Sequence, residues 1–185
     1  MLAISPDGLR TILEAGAEAA STALAAQGLP WRVRPGALAL CPLADFPHKG
    51  VSTEAQVVAA VVRGLVGPCC GTVALAFEPK DALHLIRGGA PRSWAPGDAR
   101  AQIDAYVSAG GAISEALAAV ALPGVACGAP RLVEDSLPGV LVSTHAPRDV
   151  MVVSCELGFV KGDESLTGYA CLLLDLKLLP ALATS

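Results

Sequence analysis

The sequence predicts an α/β protein, in which helices pack on both faces of a largely antiparallel sheet and the whole domain carries an internal pseudo-two-fold repeat. Three observations lead to this α/β/α prediction. Two long segments carry apolar residues at helical spacing. Two pairs of apolar strands are each joined by a short turn, and strands joined in this way pair antiparallel. The same order of segments occurs in both halves of the 185 residues, so that two helix stripes can be buried on one shared sheet.

The first half opens with a predicted helix over residues 6–27. Ser5 is a suitable N-cap before Pro6, and Gly28 followed by Pro30 ends the helix. Its apolar stripe consists of Leu9, Ile12, Leu13, Gly16, Ala20, Ala23 and Leu24. The segments that follow are a short strand at 31–33, an apolar run at 37–43, a polar turn at 45–53, two strands at 55–65 and 72–77, and a short helix at 79–87.

The second half follows a connector rich in glycine and proline over residues 88–98. A helix is predicted over residues 98–121, with a stripe of Ile103, Tyr106, Val107, Gly110, Ile113, Leu117 and Val120. The later segments are two short pieces at 125–130 and 131–137, two strands at 150–160 and 166–174, and a last helical piece at 176–183.

The two halves can be superimposed in sequence. Leu29-Pro30 aligns with Leu122-Pro123, and Gly71-Thr-Val-Ala-Leu75 aligns with Gly168-Tyr-Ala-Cys-Leu172. Matches in the same order indicate an internal repeat. We therefore predict a single domain over residues 1–185, made of halves at about 5–88 and 98–184.

Composition excludes several classes of function. The chain is 53% apolar and 16% charged, with a net charge of −4, which disfavours disorder. No basic stretch is present to neutralise a row of phosphates, so we expect no nucleic-acid partner. The longest uncharged run, residues 116–130, is shorter than the ~20 residues of a membrane span. The N-terminus lacks the features of a secretory signal, and we expect a cytoplasmic protein with no membrane span.

The cysteine and histidine pattern predicts neither disulfides nor a metal site. The six cysteines lie mostly in apolar runs and form no C-x-x-C pair, and the three histidines are distant from them in sequence. The adjacent Cys69 and Cys70 could form a reactive pair, but the sequence shows no base to activate them, and a tight turn explains them better. We expect no cofactor and no metal.

The repeated motifs resemble the CheC/CheX/FliY group of chemotaxis proteins, which shares its fold with the middle domain of FliM. The resemblance rests on Leu9-Arg-Thr-Ile-Leu-Glu-Ala-Gly16 and Ile103-Asp-Ala-Tyr-Val-Ser-Ala-Gly110 at the helix starts. It also rests on residues 67–77 and 168–174, each before a short helix. It implies an α/β/α pseudo-two-fold domain, in agreement with the repeat.

The resemblance also implies where a site would lie. Active family members remove phosphate from the response regulator CheY through Asp/Ser-x3-Glu-x2-Asn on each long helix, followed later by a proline. The matching positions are Arg10, Glu14 and Ala17 on the first helix, and Asp104, Ser108 and Gly111 on the second. Glu14 fits the motif's glutamate and Asp104 its opening position, whereas the second helix has Ser108 where the motif has glutamate. Both asparagine positions depart from it, and the chain contains no asparagine at all.

The missing asparagine leads to a prediction of a binding protein that has lost the catalytic pair. Its partner would be a phosphorylated CheY-like response regulator or a CheD-like protein, and the partner-binding residues would be Glu14, Asp104 and Ser108. Solvation of a helix surface is the alternative role for Glu14, and a favourable interaction with the helix dipole is the alternative for Asp104. Trp94 is a candidate partner anchor or a cap on the core.

Two alternative functions stay open. One is an active CheY-phosphate phosphatase with an altered site. The other is a FliM-like structural or switch component, which we consider weaker because the sequence shows no additional binding tail or second domain. An oligomer is compatible with the sequence.

Overall fold

Two long helices lie side by side on one face of a seven-stranded sheet. The computed structural model describes residues 6–50, 57–67, 71–87, 98–144 and 150–175. The helices are α1 (Pro6–Ala26), α2 (Phe46–Lys49), α3 (Pro79–Arg87), α4 (Ala99–Ala121) and α5 (Leu137–Ser143). The strands are β1 (Arg32–Pro42), β2 (Val57–Val66), β3 (Gly71–Phe77), β4 (Ala126–Cys127), β5 (Arg131–Ser136), β6 (Val150–Lys161) and β7 (Glu164–Asp175).

The order of the strands makes the sheet symmetric about its centre. The order is β1-β6-β7-β3-β2, and β2 then pairs with both β4 and β5. All of these pairs are antiparallel. If β1, β2 and β3 are exchanged with β5, β6 and β7, the same order is read backwards. The first strand of each half therefore pairs with the hairpin of the other half, which interlocks the two halves. The predicted α/β fold with a largely antiparallel sheet is confirmed.

Helices cover both faces of the sheet. Side chains alternate between the two faces along each strand, so a strand that is apolar throughout packs against helices on both sides. On β2, Ala59 and Val61 belong to the cluster that also contains residues of α1, α3 and α4. The intervening Val58, Ala60 and Val62 pack in a second cluster with residues of α2 and α5. The result is the three-layer arrangement that the sequence predicts.

The close contact between α1 and α4 depends on small residues. A Cβ atom placed on Gly16 would lie 3.1 Å from Leu117 Cδ2, and one placed on Gly110 would lie 2.6 Å from Val61 Cγ2. Ser114 is fully buried, and its hydroxyl donates to the Gly110 carbonyl. Because these residues leave room for neighbouring backbone and side chains, α1 and α4 can pack at native density on each other and on the sheet.

Several predicted elements differ in detail from the structure. The strand at 31–33 and the run at 37–43 form one strand, β1, whose register shifts between Pro35 and Leu38. The predicted polar turn at 45–53 contains the short helix α2, and α5 was not predicted. Both helices are too short to show a 3.6-residue period in the sequence. Ile103 is 43% exposed and does not belong to the buried stripe of α4.

Some predictions fall outside the described ranges. They concern the cap at Ser5, the turn containing Cys69 and Cys70, most of the connector including Trp94, and the helical piece at 176–183.

Candidate functional site

A groove runs between α1 and β1 and contains two of the motif positions named in the sequence analysis. Glu14 and Ala17 line it from α1, and Pro35 lines it from β1. Glu18 and Ser21 continue the same helix face, because residues three and four apart are neighbours on a helix surface. The groove has a volume of about 630 Å³.

Glu14 offers the groove an accessible carboxylate. Its Oε1 atom lies 3.4 Å from Arg10 Nε, and the Glu14 side chain is 59% exposed. An ion pair this exposed contributes little to stability, so the carboxylate can exchange Arg10 for a cation on another molecule at small cost.

Ala17 and Ser21 form the inner wall of the groove. Ala17 is buried, and its carbonyl accepts a 2.8 Å hydrogen bond from the Ser21 hydroxyl. The same Ser21 oxygen accepts a 2.8 Å hydrogen bond from the backbone N–H of Val33, which ties β1 to α1. The Ser21 hydroxyl is therefore committed to the fold, and the methyl group of Ala17 has no hydrogen-bonding capacity.

The three positions on α4 occupy different surroundings. Asp104 is exposed and lies 3.2 Å from Arg100, measured from carboxylate oxygen to Nε. Ser108 is exposed, and its carbonyl accepts a 3.3 Å hydrogen bond from Gln27 Nε2. Gly111 is buried, and a Cβ atom at this position would lie 3.3 Å from Pro130 Cβ and Cγ.

The two sets of positions do not form one site. Gly16 lies against Leu117, whereas Gln27 reaches Ser108, so α1 and α4 run antiparallel. The two contacts are separated by about 16 Å along α1 at 1.5 Å per residue. Glu14 and Asp104 therefore lie towards opposite ends of the helix pair.

Arg63 is the residue that sequence reasoning missed. It lies in the apolar strand β2 and is only 8% exposed. Its Nη1 atom donates to the Gly111 carbonyl at 2.8 Å and to Glu115 Oε2 at 2.9 Å. Its Nε donates to the Gly128 carbonyl at 2.7 Å, and Nη2 reaches the Cys127 carbonyl at 3.3 Å. A single charge inside an otherwise apolar strand was the available signal.

Arg63 and Pro130 together fill the space beside Gly111. The guanidinium group is held by α4 and by the segment around β4, and the proline ring lies against the helix backbone. An asparagine side chain at Gly111 would need these groups to move. The position on α1 differs, because Ala17 is itself part of the core cluster and forms the inner wall of the groove.

Other groups in the described ranges show no feature of a reactive site. Burial raises the pKa of the Cys41, Cys127, Cys155 and Cys171 thiols, which disfavours the nucleophilic thiolate. No cluster of three metal-binding side chains occurs among the residues described. No helix in that part of the chain is long and apolar enough to cross a membrane.

Comparison with known proteins relates this geometry to a fold. Neither a family model nor a curated protein sequence matches the chain. FliY from Thermotoga maritima matches with a TM-score of 0.66 and 16% identity, over 98% of this chain and 96% of FliY. The FliM middle domain from H. pylori matches with a TM-score of 0.65 and 13% identity, over 98% and 100%. The chain has the CheC-like fold of these proteins.

A third match extends the likeness to CheX. CheX from the CheX–CheY–BeF3–Mg²⁺ complex of Borrelia burgdorferi matches with a TM-score of 0.53 and 13% identity, over 89% of this chain and 98% of that one. At these identities the likeness concerns the CheC-like fold, and function has to be argued from the groove itself.

Proposed function

We propose that this CheC-like chain is a chemotaxis protein that binds a response regulator, or another chemotaxis partner such as a CheD-like protein, without hydrolysing its phosphate. The partner docks on the groove beside α1. The observation that carries the proposal is the pairing of an exposed carboxylate, Glu14, with a methyl group, Ala17, where the related phosphatases carry an asparagine.

The chemistry of the groove supports docking over catalysis. The Glu14 carboxylate can accept hydrogen bonds from a lysine of the partner. In-line attack on an aspartyl phosphate requires a group that holds and aims a water molecule, and positioning of this kind supplies much of the rate in phosphoryl transfer. Ala17 cannot do this, and the chain has no asparagine elsewhere to take its place.

The relatives supply the class of partner. CheX of Borrelia burgdorferi was crystallised with CheY. A regulator that docks on a CheC-like domain through a carboxylate on a long helix would meet Glu14 here. The corresponding positions on α4 offer Asp104 and Ser108, and we assign these two residues to a secondary contact. The reason is that Arg63 occupies the space beside Gly111.

The test measures binding and phosphate release on the same samples. Phosphorylated CheY from the same organism is titrated with the chain, and its dephosphorylation is followed over time. We expect binding without acceleration of phosphate release. Glu14→Gln should weaken binding about tenfold, the ~1.4 kcal/mol typical of losing one charge-assisted hydrogen bond.

A matched control separates docking from a general effect of charge. Asp45 forms an i, i+4 ion pair with Lys49 at 2.7 Å, in the segment before α2 and away from the groove. Asp45→Asn removes one carboxylate charge from a comparable exposed pair and should leave binding unchanged. Phosphate release well above spontaneous decay, lost in Glu14→Gln, would instead establish an active phosphatase with an altered site.

A FliM-like switch component is the second candidate. The observation that favours it is the higher TM-score with the FliM middle domain than with CheX. The FliM middle domain of H. pylori was also solved in complex with FliG. Binding of this chain to FliG from the same organism, undiminished by Glu14→Gln, would favour that role over the one proposed.

A further inference from the structure

One corner of the sheet is exposed on the face opposite α1 and α4. Val33 of β1 belongs to the cluster that contains residues of α1 and α4, so its neighbours Arg32 and Arg34 point to the other face. The cluster that α2 and α5 form on that other face reaches along β7 only as far as Tyr169. The ends of β1, β6 and β7 beyond it therefore present an open surface.

Three neighbouring strands bring four residues together in this corner. Arg34 of β1 lies opposite Gly158 of β6, which in turn lies opposite Thr167 of β7. Arg32 faces the same way and is about 7 Å from Arg34 along the strand. Arg32, Arg34 and Thr167 are exposed, and Gly158 is half-buried. We call these four residues the basic corner.

The glycine of the basic corner forms a bare floor. A Cβ atom placed on Gly158 would have one neighbour within 4 Å, the Arg34 carbonyl oxygen at 3.9 Å, which is an ordinary van der Waals distance. The packing of the described residues therefore does not require a glycine here. A glycine in the interior of a strand often marks a place where another backbone or a ligand approaches closely. The open side of Gly158 is available to a chain from another molecule.

The two arginines are unpaired charges on an acidic protein. The chain has a net charge of −4, yet neither guanidinium forms an ion pair with any other residue in the described ranges. Glu156, the nearest acid on the same face of β6, does not pair with them either. A guanidinium presents a planar fork of donors that matches a carboxylate. The basic corner thus offers positive charge to carboxylates of another molecule.

We propose that the basic corner binds an extended acidic segment of a partner protein. Alternate side chains of an extended segment are about 7 Å apart, the same as the separation of Arg32 and Arg34 along β1. Two carboxylates at alternate positions can each meet one arginine, while the backbone of the segment lies over Gly158. Two arginines on an acidic chain are too few to neutralise a row of phosphates, which disfavours a nucleic acid. The corner lies on the opposite face of the sheet from α1, so this proposal is independent of docking in the α1 groove.

The test measures binding of a fluorescently labelled peptide of ten residues with glutamate at every second position. Fluorescence anisotropy gives its Kd for the chain, and a peptide with glutamine in place of each glutamate should bind at least about tenfold more weakly. Arg34→Glu should weaken binding of the acidic peptide at least about tenfold, because it reverses the sign of one contact. Arg34 is the position to change because Arg32 also borders the α1 groove.

Two further variants separate the basic corner from a general effect of charge. Arg131 is exposed on β5 opposite Val62, which belongs to the cluster of α2 and α5, so it lies on the same face of the sheet. Arg131→Glu makes the same change in net charge and should alter the Kd less than about twofold. Gly158→Val keeps the net charge and places on the floor a β-branched side chain that suits a strand. It should weaken binding at least about fivefold, without lowering the midpoint of urea denaturation.

Several results would overturn the proposal. They are no binding of the acidic peptide by the wild-type chain, equal weakening by Arg34→Glu and Arg131→Glu, and wild-type affinity in Gly158→Val. Equal binding of a single-stranded DNA oligonucleotide of the same charge would assign the corner to polyanions in general. A dimer in sedimentation that Arg34→Glu disrupts would assign the corner to a second copy of the chain instead.

Discussion

Replacement of Arg63 by alanine tests whether the contacts that Arg63 makes beside Gly111 stabilise the fold. Two of its hydrogen bonds are short and go to backbone carbonyls, at 2.7 Å to Gly128 and 2.8 Å to Gly111. A hydrogen bond from a charged donor contributes about 1.5–3 kcal/mol. In the alanine variant the Gly111 and Gly128 carbonyls would lose the hydrogen bonds that the guanidinium donates. The Glu115 side chain is 64% exposed, so its ion pair adds only a few tenths of a kcal/mol.

The expected loss is therefore about 3–4 kcal/mol in the free energy of unfolding. For a chain of this length each kcal/mol corresponds to about 2–4 °C in Tm, so the Arg63→Ala variant should melt about 10 °C lower. Urea denaturation followed by circular dichroism measures the first quantity, and a thermal scan measures the second.

Three further variants identify the cause of the loss. Arg131→Ala removes an exposed arginine on the neighbouring strand β5 and should change stability by less than about 0.5 kcal/mol. Glu115→Gln should cost less than about 1 kcal/mol. Arg63→Lys should still lose at least half of the stability, because an ammonium group lacks the fork that reaches Gly111 and Gly128 together. A loss below 1 kcal/mol in the free energy of unfolding of Arg63→Ala would refute the assignment of a stabilising role to Arg63.

Three other predictions concern packing, a buried hydroxyl and an exposed titrating pair. Gly110→Ala should destabilise the chain by about 1–3 kcal/mol in urea denaturation, because its Cβ would lie 2.6 Å from a valine of β2, whereas Gly64→Ala, which meets open space, should not. Tyr106→Phe should cost about 1–2 kcal/mol in the same assay, because it removes a buried 2.7 Å hydrogen bond to a backbone carbonyl. The hydrogen bond from His84, and then the charge of a nearby lysine, lower the pKa of Glu164, so NMR titration of His84→Ala should show this pKa rising towards 4.5. Because the folded-state pKa is depressed, the stabilisation from this pair is present above the ordinary glutamate pKa and is lost as pH falls through the folded value; an unchanged pKa in the variant would contradict the assignment.

Long periodic segments were predictable from the sequence because each one carries its own signal. The stripe of α1 and the paired runs around residues 150–175 are local patterns, and the structure contains the corresponding elements. The prediction of two separate segments, at 31–33 and 37–43, was wrong. Pro35 suggests a break between them, whereas β1 continues through this region with a shift in register. The signals of α5 were present but weak. Ser136 caps this helix by accepting from Gly139 N, and a proline lies at its start.

The groove could be predicted only in part. Helical spacing places Glu14 and Ala17 on one face, but no local signal shows that Pro35 completes the same groove. The role of Arg63 depends on carbonyls 48 and 65 residues away in sequence, at Gly111 and Gly128. These partners are brought close by the pairing of strands from different halves of the chain. A local sequence pattern does not show which distant residues will meet.

The two motif positions lie on corresponding helices of the two halves but have different surroundings. Both positions lie in the interior of a long helix, where the carbonyl already accepts from the backbone N–H four residues later, and each carbonyl also has a side-chain partner. At Ala17 that partner is a serine hydroxyl on the same helix, which takes little space and leaves the groove open. At Gly111 the partner is the guanidinium of Arg63 from β2, and Pro130 lies against the helix as well. The docking proposed on α1 therefore gives up only the exposed Arg10–Glu14 ion pair, whereas a side chain entering beside Gly111 on α4 would have to displace a buried arginine.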